Sequence, residues 1–208
     1  MRISDLQREE NYNEYLRLLQ DDDYLDVTYD NESGGVSAVH RLHKFAKQKG
    51  VNGMRQGDYE RTVLEVLRNY GSRILLGAES NMPGIKSFDG FLNDAPMEIK
   101  TVEGRGIWAI NTKLCQAEKQ NAQCVVLFFP DSCLFSYERV VDGLGKYMAN
   151  PSLGKELNIR QLIAVSCDGL LAVWHKKATP VEGWSVWEGF RRENGANSYT
   201  LSPSDAKV

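Results

Sequence analysis

The hydrophobic positions near the start of this 208-residue chain follow a helical period. Ser4 followed by Gln7 forms a capping-box pattern, which marks the beginning of a helix. The apolar residues that recur at helical spacing are Leu6, Tyr15, Leu16 and Leu19. The pattern therefore predicts a first helix that ends at the acidic run at positions 21–23.

The next segment changes to a period of two. Residues 24–30 alternate between apolar and polar side chains, which predicts a half-buried strand ending at the turn Gly34-Gly35. A second helix is predicted over roughly 36–49. His40 and His43 would lie at i and i+3 on that helix and could bind a metal only with a third ligand from elsewhere. The sequence offers no such ligand, so we favour packing or phosphate contact for both histidines.

The clearest helical pattern covers residues 58–70 and stops at Gly71, a typical position for a left-handed cap. Its apolar stripe consists of Val63, Leu64 and Leu67. Glu60 lies on the same stripe, because these four positions are spaced i, i+3, i+4 and i+7. The carboxylate of Glu60 is therefore predicted to point toward whatever this apolar face packs against.

The remaining elements alternate between strands and helices. Three strands are predicted to begin at Arg73, Ser87 and Met97, with a turn at 93–96 between the last two. Further predictions are a helix at 111–121, a strand at 124–129 buried on both faces, a helix at 137–148, and strands from Leu162 and Leu170 around a turn at 168–169. This order predicts an α/β (α+β) fold with a central mixed sheet flanked by helices.

The length favours one elaborated domain over two independent ones. We expect an N-terminal helical and strand extension at 1–50 packed on a core at 51–195, followed by a flexible tail at 196–208. A composition with 42% hydrophobic residues and only six prolines is typical of a folded globular protein.

The net charge of −3 argues against a broadly basic protein that coats nucleic acid. It does not exclude an enzyme that binds nucleic acid through a local basic surface. Arg105, Lys113 and Lys119 are the candidate nucleic-acid contacts, with scattered surface charge as the alternative. The four cysteines have no C-x-x-C spacing, which favours buried free thiols in a reducing compartment. The chain has neither a long apolar run nor a signal-peptide pattern, so we expect a cytoplasmic protein with no membrane partner.

The candidate chemistry centres on the strand that contains Glu98 and Lys100. These two residues are two positions apart, so both side chains emerge on one face of a strand. Asp89 precedes Glu98 by a hairpin length, and a turn near 93–95 can bring the two carboxylates together across the ladder. Clustered carboxylates repel unless a cation lies between them, and oxygen ligands alone favour Mg²⁺ or Mn²⁺ over Zn²⁺.

Such a site suits phosphodiester hydrolysis. A divalent ion can stabilise the charge of an in-line phosphoryl transition state and lower the pKa of a bound water. Lys100 would orient that water or neutralise the phosphate.

The segment from Asp89 to Lys100 resembles the PD-(D/E)xK nuclease motif, and the order helix, three strands, helix, strand resembles the core of that superfamily. The resemblance covers roughly 57–129. Within the superfamily, segments around Glu60, Asp89, Glu98 and Gln120 are similar, more loosely, to nuclease toxin domains of contact-dependent growth inhibition proteins. Ser87-Phe88 stands where the motif has its proline.

The resemblance implies a restriction-endonuclease-like fold and a role for each matching residue. Asp89 and Glu98 would be the main metal ligands, and Ile99 would contribute its carbonyl oxygen. Glu60 would bind the metal directly or through water. Lys100 would be the catalytic lysine. Gln120, placed by A-x-x-Q on the following helix, would hydrogen-bond toward the site or the phosphate.

Several functions stay open at this point. The first is an endonuclease that cuts DNA or RNA, as a toxin-like effector with a cognate immunity protein or as a restriction or repair enzyme. The second is a catalytically inactive module that binds nucleic acid or protein with the same fold. The simplest alternative for the Asp89, Glu98 and Lys100 pattern is a solvated salt-bridge ladder on a hairpin.

Overall fold

The computed structural model describes residues 3–50, 53–78, 88–106, 108–150, 152–153, 157–177, 186–191 and 199–201. The chain is mixed α/β, as predicted, and divides into two compact units, Met1–Met97 and Glu98–Val208. The boundaries predicted at positions 50 and 195 stay predictions. Strand Tyr199–Leu201 falls within the predicted tail, and positions 202–208 lie outside the described residues.

The described residues of the first unit form two helices and a mixed set of strands. Its elements are α1 (Asp5–Leu18), β1 (Tyr24–Tyr29), β2 (Val36–His40), α2 (Gln56–Asn69), β3 (Arg73–Leu76), β4 (Gly90–Leu92) and the start of β5 (Ala95–Thr101). The strands are hydrogen-bonded in chain order, with β2 parallel to β3 and the other pairs antiparallel.

The second unit begins within β5 and is also mixed. Its further elements are α3 (Ala109–Glu118), β6 (Cys124–Phe129), a 3₁₀ turn (Ser132–Leu134), α4 (Tyr137–Met148), β7 (Gln161–Ser166), β8 (Gly169–Lys177), β9 (Val186–Arg191) and β10 (Tyr199–Leu201). Strands β6 and β7 are parallel, whereas β7 to β10 pair antiparallel in chain order. The predictions of a fully buried β6 and of α4 are confirmed.

The predicted helix over 36–49 is wrong, because residues Val36–His40 form strand β2 and residues 41–50 form no helix. Strand β2 pairs with β1 along one edge and with β3 along the other, and residues 36 to 39, whose side chains alternate between the two faces, are all buried. A continuous apolar run of this kind has no period that separates a buried strand from a buried helix. His40 and His43 are therefore not one helical turn apart.

Helix α1 begins at the predicted cap, since the Ser4 side chain accepts a hydrogen bond from Gln7 N at 3.1 Å. Its buried face differs from the hydrophobic pattern, because Asn11 and Leu18 are buried whereas the apolar residues at 6, 16 and 19 are exposed. Asn11 Nδ2 donates to the carbonyl oxygens of Gly34 and Gly71, at 2.8 and 3.1 Å. A polar side chain thus fixes which face of the helix packs inward.

The turn after β1 is closed by Asp30. Its Oδ1 accepts hydrogen bonds from the backbone N–H groups of Ser33 at 2.7 Å and Glu32 at 2.9 Å. These bonds, that of Ser33 foremost, hold the pKa of Asp30 below its usual range, because they favour the charged carboxylate. Strand β1 itself deviates at Asp26, whose positive φ of 52° accompanies a register shift that leaves Leu25 exposed.

The core of the second unit packs α3 and α4 against buried strands. Close helix contact requires Gly143, because a Cβ there would lie 2.6 Å from Ile110 Cβ. Glu118 is buried on α3 and accepts hydrogen bonds from Tyr147 Oη and from Asn158 N, the latter at 2.8 Å. Glu118 was not predicted as a buried residue. Its position on the same helical stripe as Ile110 and Leu114 places it on the buried face.

The thiol prediction is confirmed in part. All four cysteines are free, but only Cys124 is buried, whereas Cys133 and Cys167 are exposed. Burial raises the pKa of the Cys124 thiol. Within the described part of the chain, no helix combines the length and apolar character needed to cross a membrane.

Candidate active site

Glu60 lies on the predicted stripe of helix α2, whose apolar members are buried. Its carboxylate is reached by a histidine from the loop at 41–50, since His43 Nε2 lies 2.9 Å from Glu60 Oε2. The His43 side chain is 4% exposed and that of Glu60 is 23% exposed. Glu60 is therefore the more exposed member of a mostly buried pair. From the sequence, packing or phosphate contact was favoured for His43 over metal binding, and its contact with Glu60 was not predicted.

The other ring nitrogen of His43 faces the end of strand β3. His43 Nδ1 lies 3.1 Å from the carbonyl oxygen of Gly77. A carbonyl oxygen can only accept a hydrogen bond, so Nδ1 carries a proton in this contact. The ring is thereby fixed at both nitrogens.

Gly77 also connects this pair to the backbone of Asp89. The Gly77 N–H donates to the Asp89 carbonyl oxygen at 2.9 Å, and the neighbouring ladder pairs Leu76 with Gly90. Strand β4 can approach β3 this closely only because position 90 is glycine, since a Cβ there would lie 2.0 Å from the Leu75 carbonyl oxygen. The first unit thus brings the backbone of Asp89 and the His43–Glu60 pair to the same end of β3.

Strands β4 and β5 form the predicted hairpin. Its turn residues, Asn93 and Asp94, have φ values of 47° and 68°, as in the primed turns that match the strand twist. The register pairs Leu92 with Ala95 and Gly90 with Met97. Asp89 and Glu98 are the next residues in sequence beyond that last pair. The structure places Asp89 in the first unit and Glu98 in the second.

In the second unit, Glu98 and Lys100 form an ion pair on one face of β5, as predicted from their spacing. Lys100 Nζ donates to Glu98 Oε2. The Glu98 side chain is 0% exposed and that of Lys100 is 16% exposed. This burial contradicts the solvated salt-bridge ladder, because charges on such a ladder would face water. Ile99 follows Glu98 with its side chain on the opposite face of the strand.

The predicted helical position of Gln120 is wrong. Helix α3 ends at Glu118 with Lys119 as its C-cap, and Gln120 lies in the turn that follows. The positive φ of 58° at Asn121 explains the early end, because a left-handed residue closes a helix rather than extending it. Gln120 N donates to the Ala117 carbonyl oxygen at 3.0 Å, so its backbone closes the turn.

The candidate nucleic-acid contacts all lie in the second unit. Arg105 and Lys119 are exposed and Lys113 is half-buried. Arg105 has a cationic neighbour, since the pKa of Arg139 is lowered by burial and, to a smaller extent, by the charge of Arg105. In the same region Trp108 is 57% exposed. Arg105 and Arg139 are thus the two positive charges shown to lie near each other here.

The carboxylates of Asp89 and Glu98 have the oxygen donors that Mg²⁺ prefers. The described residues do not form a complete set of protein ligands for a metal ion. Among them, no three side chains of histidine, cysteine, aspartate or glutamate lie close enough together to hold a metal ion. Mg²⁺ usually keeps several waters and takes only one or two protein carboxylates together with substrate phosphates. Asp89 and Glu98 each offer carboxylate oxygens, the ligand type that such an ion takes.

Comparisons with protein-family models, with curated proteins and with solved structures gave no match for this chain.

Proposed function

We propose that the chain is a metal-dependent nuclease that hydrolyses phosphodiester bonds of DNA or RNA. The observation that carries the proposal is the ion pair between Glu98, 0% exposed, and Lys100 on strand β5. Removing a carboxylate from water costs several kcal/mol by an order-of-magnitude estimate, and a buried ion pair is often no more stable than apolar residues of the same volume. A buried acid and base held on one rigid strand therefore favour chemistry over stability.

The hairpin of β4 and β5 supports Asp89 as the second carboxylate. Asp89 directly precedes β4 and is a hairpin length before Glu98 in sequence. Two carboxylates at that spacing would take a divalent cation, and Mg²⁺ or Mn²⁺ suits their oxygen donors. When bound, such an ion would supply charge stabilisation for the phosphoryl transition state. The Ile99 carbonyl oxygen is the third proposed donor.

The protein's own residues then have distinct tasks. The Lys100 ammonium would neutralise the scissile phosphate or orient the attacking water, since it is already held beside the Glu98 carboxylate. Glu60 would receive a proton or hold a water at the end of β3, where its side chain is partly exposed. Arg105 and Lys119 are exposed and would contact the nucleic-acid backbone. Lys113 would do so from its half-buried position on α3.

The order of elements supports a restriction-endonuclease-like core as part of the proposal. From α2 to β6 the chain runs helix, three strands, helix, strand, and β3, β4 and β5 form an antiparallel meander. This order is the one that the resemblance to PD-(D/E)xK nucleases implies. A toxin-like effector with an immunity partner is the narrower form of the same proposal.

A catalytically inactive binding module is the second candidate. It is favoured by the ion pair of Lys100 with Glu98, which neutralises the carboxylate without a metal. The described residues also contain no cluster of three metal-ligating side chains. A module of this kind would bind nucleic acid through the surface around Arg105 and would need no divalent ion. Metal-dependent cleavage separates the two candidates.

The test incubates the purified chain with supercoiled plasmid, single-stranded DNA, total RNA and tRNA in Mg²⁺, Mn²⁺ or EDTA. Glu98→Gln and Lys100→Met are compared with Glu65→Gln and Lys47→Met, which change exposed residues of the same types. We expect cleavage that needs the metal and falls by at least about 100-fold in the two site variants but not in the controls. Cleavage of tRNA alone would favour the toxin-like effector. Absence of cleavage in every condition would reject the nuclease in favour of the binding module.

A further inference from the structure

The His43 ring bridges two groups near the end of β3, a contact that the sequence did not predict. Its ring is 4% exposed and spans from the Gly77 carbonyl oxygen to the Glu60 carboxylate, at 3.1 and 2.9 Å. Both partners are oxygens, and the carbonyl can only accept. The proton on Nδ1 is thus committed to Gly77, and a second proton must lie between Nε2 and Glu60 for that contact to be a hydrogen bond. The imidazole and the carboxyl group of Glu60 therefore share one hydrogen bond.

The loop that carries His43 is held to helix α2 independently of this ring. Gln56 N donates to the Gln48 carbonyl oxygen at 3.0 Å and Gly57 N to that of Ala46 at 2.9 Å. The Arg61 guanidinium lies over the Phe45 ring, 3.9 Å from its centroid. The two backbone hydrogen bonds hold residues 46 and 48, which follow His43, to helix α2 without the ring. The Phe45 ring also packs edge-on against the His43 ring, with centroids 4.9 Å apart.

We propose that His43 is a positioning residue for Glu60 in the proposed nuclease. It engages Oε2 and fixes the rotamer of the carboxylate relative to the end of β3, where Gly77 N also binds the Asp89 backbone. Glu60 would then hold a water by accepting its hydrogen bond at Oε1, rather than bind a metal with both oxygens. The inference rests on the proposed function, because it gives Glu60 a task only if the site cleaves phosphodiesters.

Two substitutions separate the two contacts of the ring. In His43→Asn, the side-chain amide nitrogen falls near the position of Nδ1 and can donate to Gly77 but is too short to reach Glu60. In His43→Gln, the amide nitrogen falls near the position of Nε2 and can donate to Glu60. His40→Asn is the matched control, because His40 Nδ1 accepts from Leu42 N at 3.1 Å, a contact separate from the His43–Glu60 pair.

The measurements are kcat and KM for cleavage, Mn²⁺ affinity by calorimetry, and stability in urea. We expect His43→Asn to lose roughly 10- to 100-fold in kcat or in Mn²⁺ affinity, the usual effect of removing a group that orients a ligand. His43→Gln should recover most of that loss. The positioning role would be overturned if His43→Asn kept the wild-type kcat and Mn²⁺ affinity, or if His43→Asn were more active than His43→Gln. Either result would mean that His43 only anchors its loop.

A double-mutant cycle with Glu60→Gln decides the case in which both His43 variants lose activity. If His43 acts through Glu60, His43→Asn will cause no further loss in the Glu60→Gln background. Additive losses would assign His43 a separate structural task, and an unaffected Glu60→Gln would remove Glu60 from the site. Each of these results refutes the inference while wild-type cleavage stands. Loss of the proposed function is recognised separately, since wild type and Lys100→Met would then behave alike.

Discussion

Replacing Lys100 by methionine should destabilise the protein in a way that reports on the burial of Glu98. The substitution removes the ammonium beside a carboxylate that is 0% exposed. Removing one partner of a buried ion pair typically costs about 3–5 kcal/mol, because the remaining charge stays desolvated. Lys100 is 16% exposed, so water screens part of the interaction. We expect a loss near the lower end, about 3 kcal/mol.

The assay is urea unfolding at neutral pH, with thermal unfolding as a second readout. For a chain of this size, about 3 kcal/mol corresponds to a fall in Tm of roughly 6–12 °C. Lys47→Met is the control, because it removes an exposed lysine and should change stability by less than about 0.5 kcal/mol. The double variant Glu98→Gln/Lys100→Met should recover much of the loss, because an amide carries no charge.

Two results would refute this reasoning. A loss below about 1 kcal/mol for Lys100→Met would mean that the Glu98 charge is solvated or neutralised by other groups. A double variant no more stable than the single one would mean that the lysine stem, rather than its charge, provides the stabilisation. If Glu98 binds metal as proposed, Mg²⁺ at about 100 times its Kd should restore roughly 2.7 kcal/mol to Lys100→Met, since the ion replaces the missing cation.

The remaining predictions concern stability and reactivity. Asn11→Ala should lower the free energy of unfolding by about 2–4 kcal/mol in urea, because two buried carbonyl oxygens lose their donor. Glu118→Ala should cost a similar amount, about 2–4 kcal/mol, by the same measurement, since a buried hydroxyl and a partly buried backbone amide lose their acceptor. An alkylating reagent should label exposed Cys133 in the native protein and reach Cys124 only after unfolding. The lowered pKa of Asp30 stabilises the fold above the pKa of the unfolded chain, so Asp30→Ala should destabilise at about pH 7, and its effect in urea unfolding should shrink as the pH falls through the folded pKa.

The elements with a strong period were predictable from the sequence. Helices α2 and α4 and strand β6 follow their patterns closely, because each buries a continuous stripe or run. The side-by-side placement of Glu98 and Lys100 was predictable as well, since the pleat of a strand requires it. Helical period, continuous apolar runs and the alternation of side chains along a strand are all local properties of the sequence, which is why these features were predictable.

The sequence could not reveal features that depend on distant partners. The run at 36–39 became a strand because β1 and β3 lie on either side of it, and no local period encodes those neighbours. The buried face of α1 is set by Asn11, whose acceptors are 23 and 60 residues away in sequence. The contact of His43 with Glu60 spans 17 residues and depends on a loop without regular structure.

The two acid–base pairs argue for function more strongly together than either does alone. His43–Glu60 and Glu98–Lys100 each hold a mostly or fully buried side chain of a titratable residue. Apolar residues of similar volume at such positions are commonly neutral or stabilising by about 1–4 kcal/mol, so stability alone does not favour either pair. Each pair also includes one partly exposed side chain, Glu60 at 23% in the first and Lys100 at 16% in the second. Buried partners that orient accessible charged groups are what a phosphodiester-cleaving site requires, whereas a purely structural ion pair gains nothing from this division.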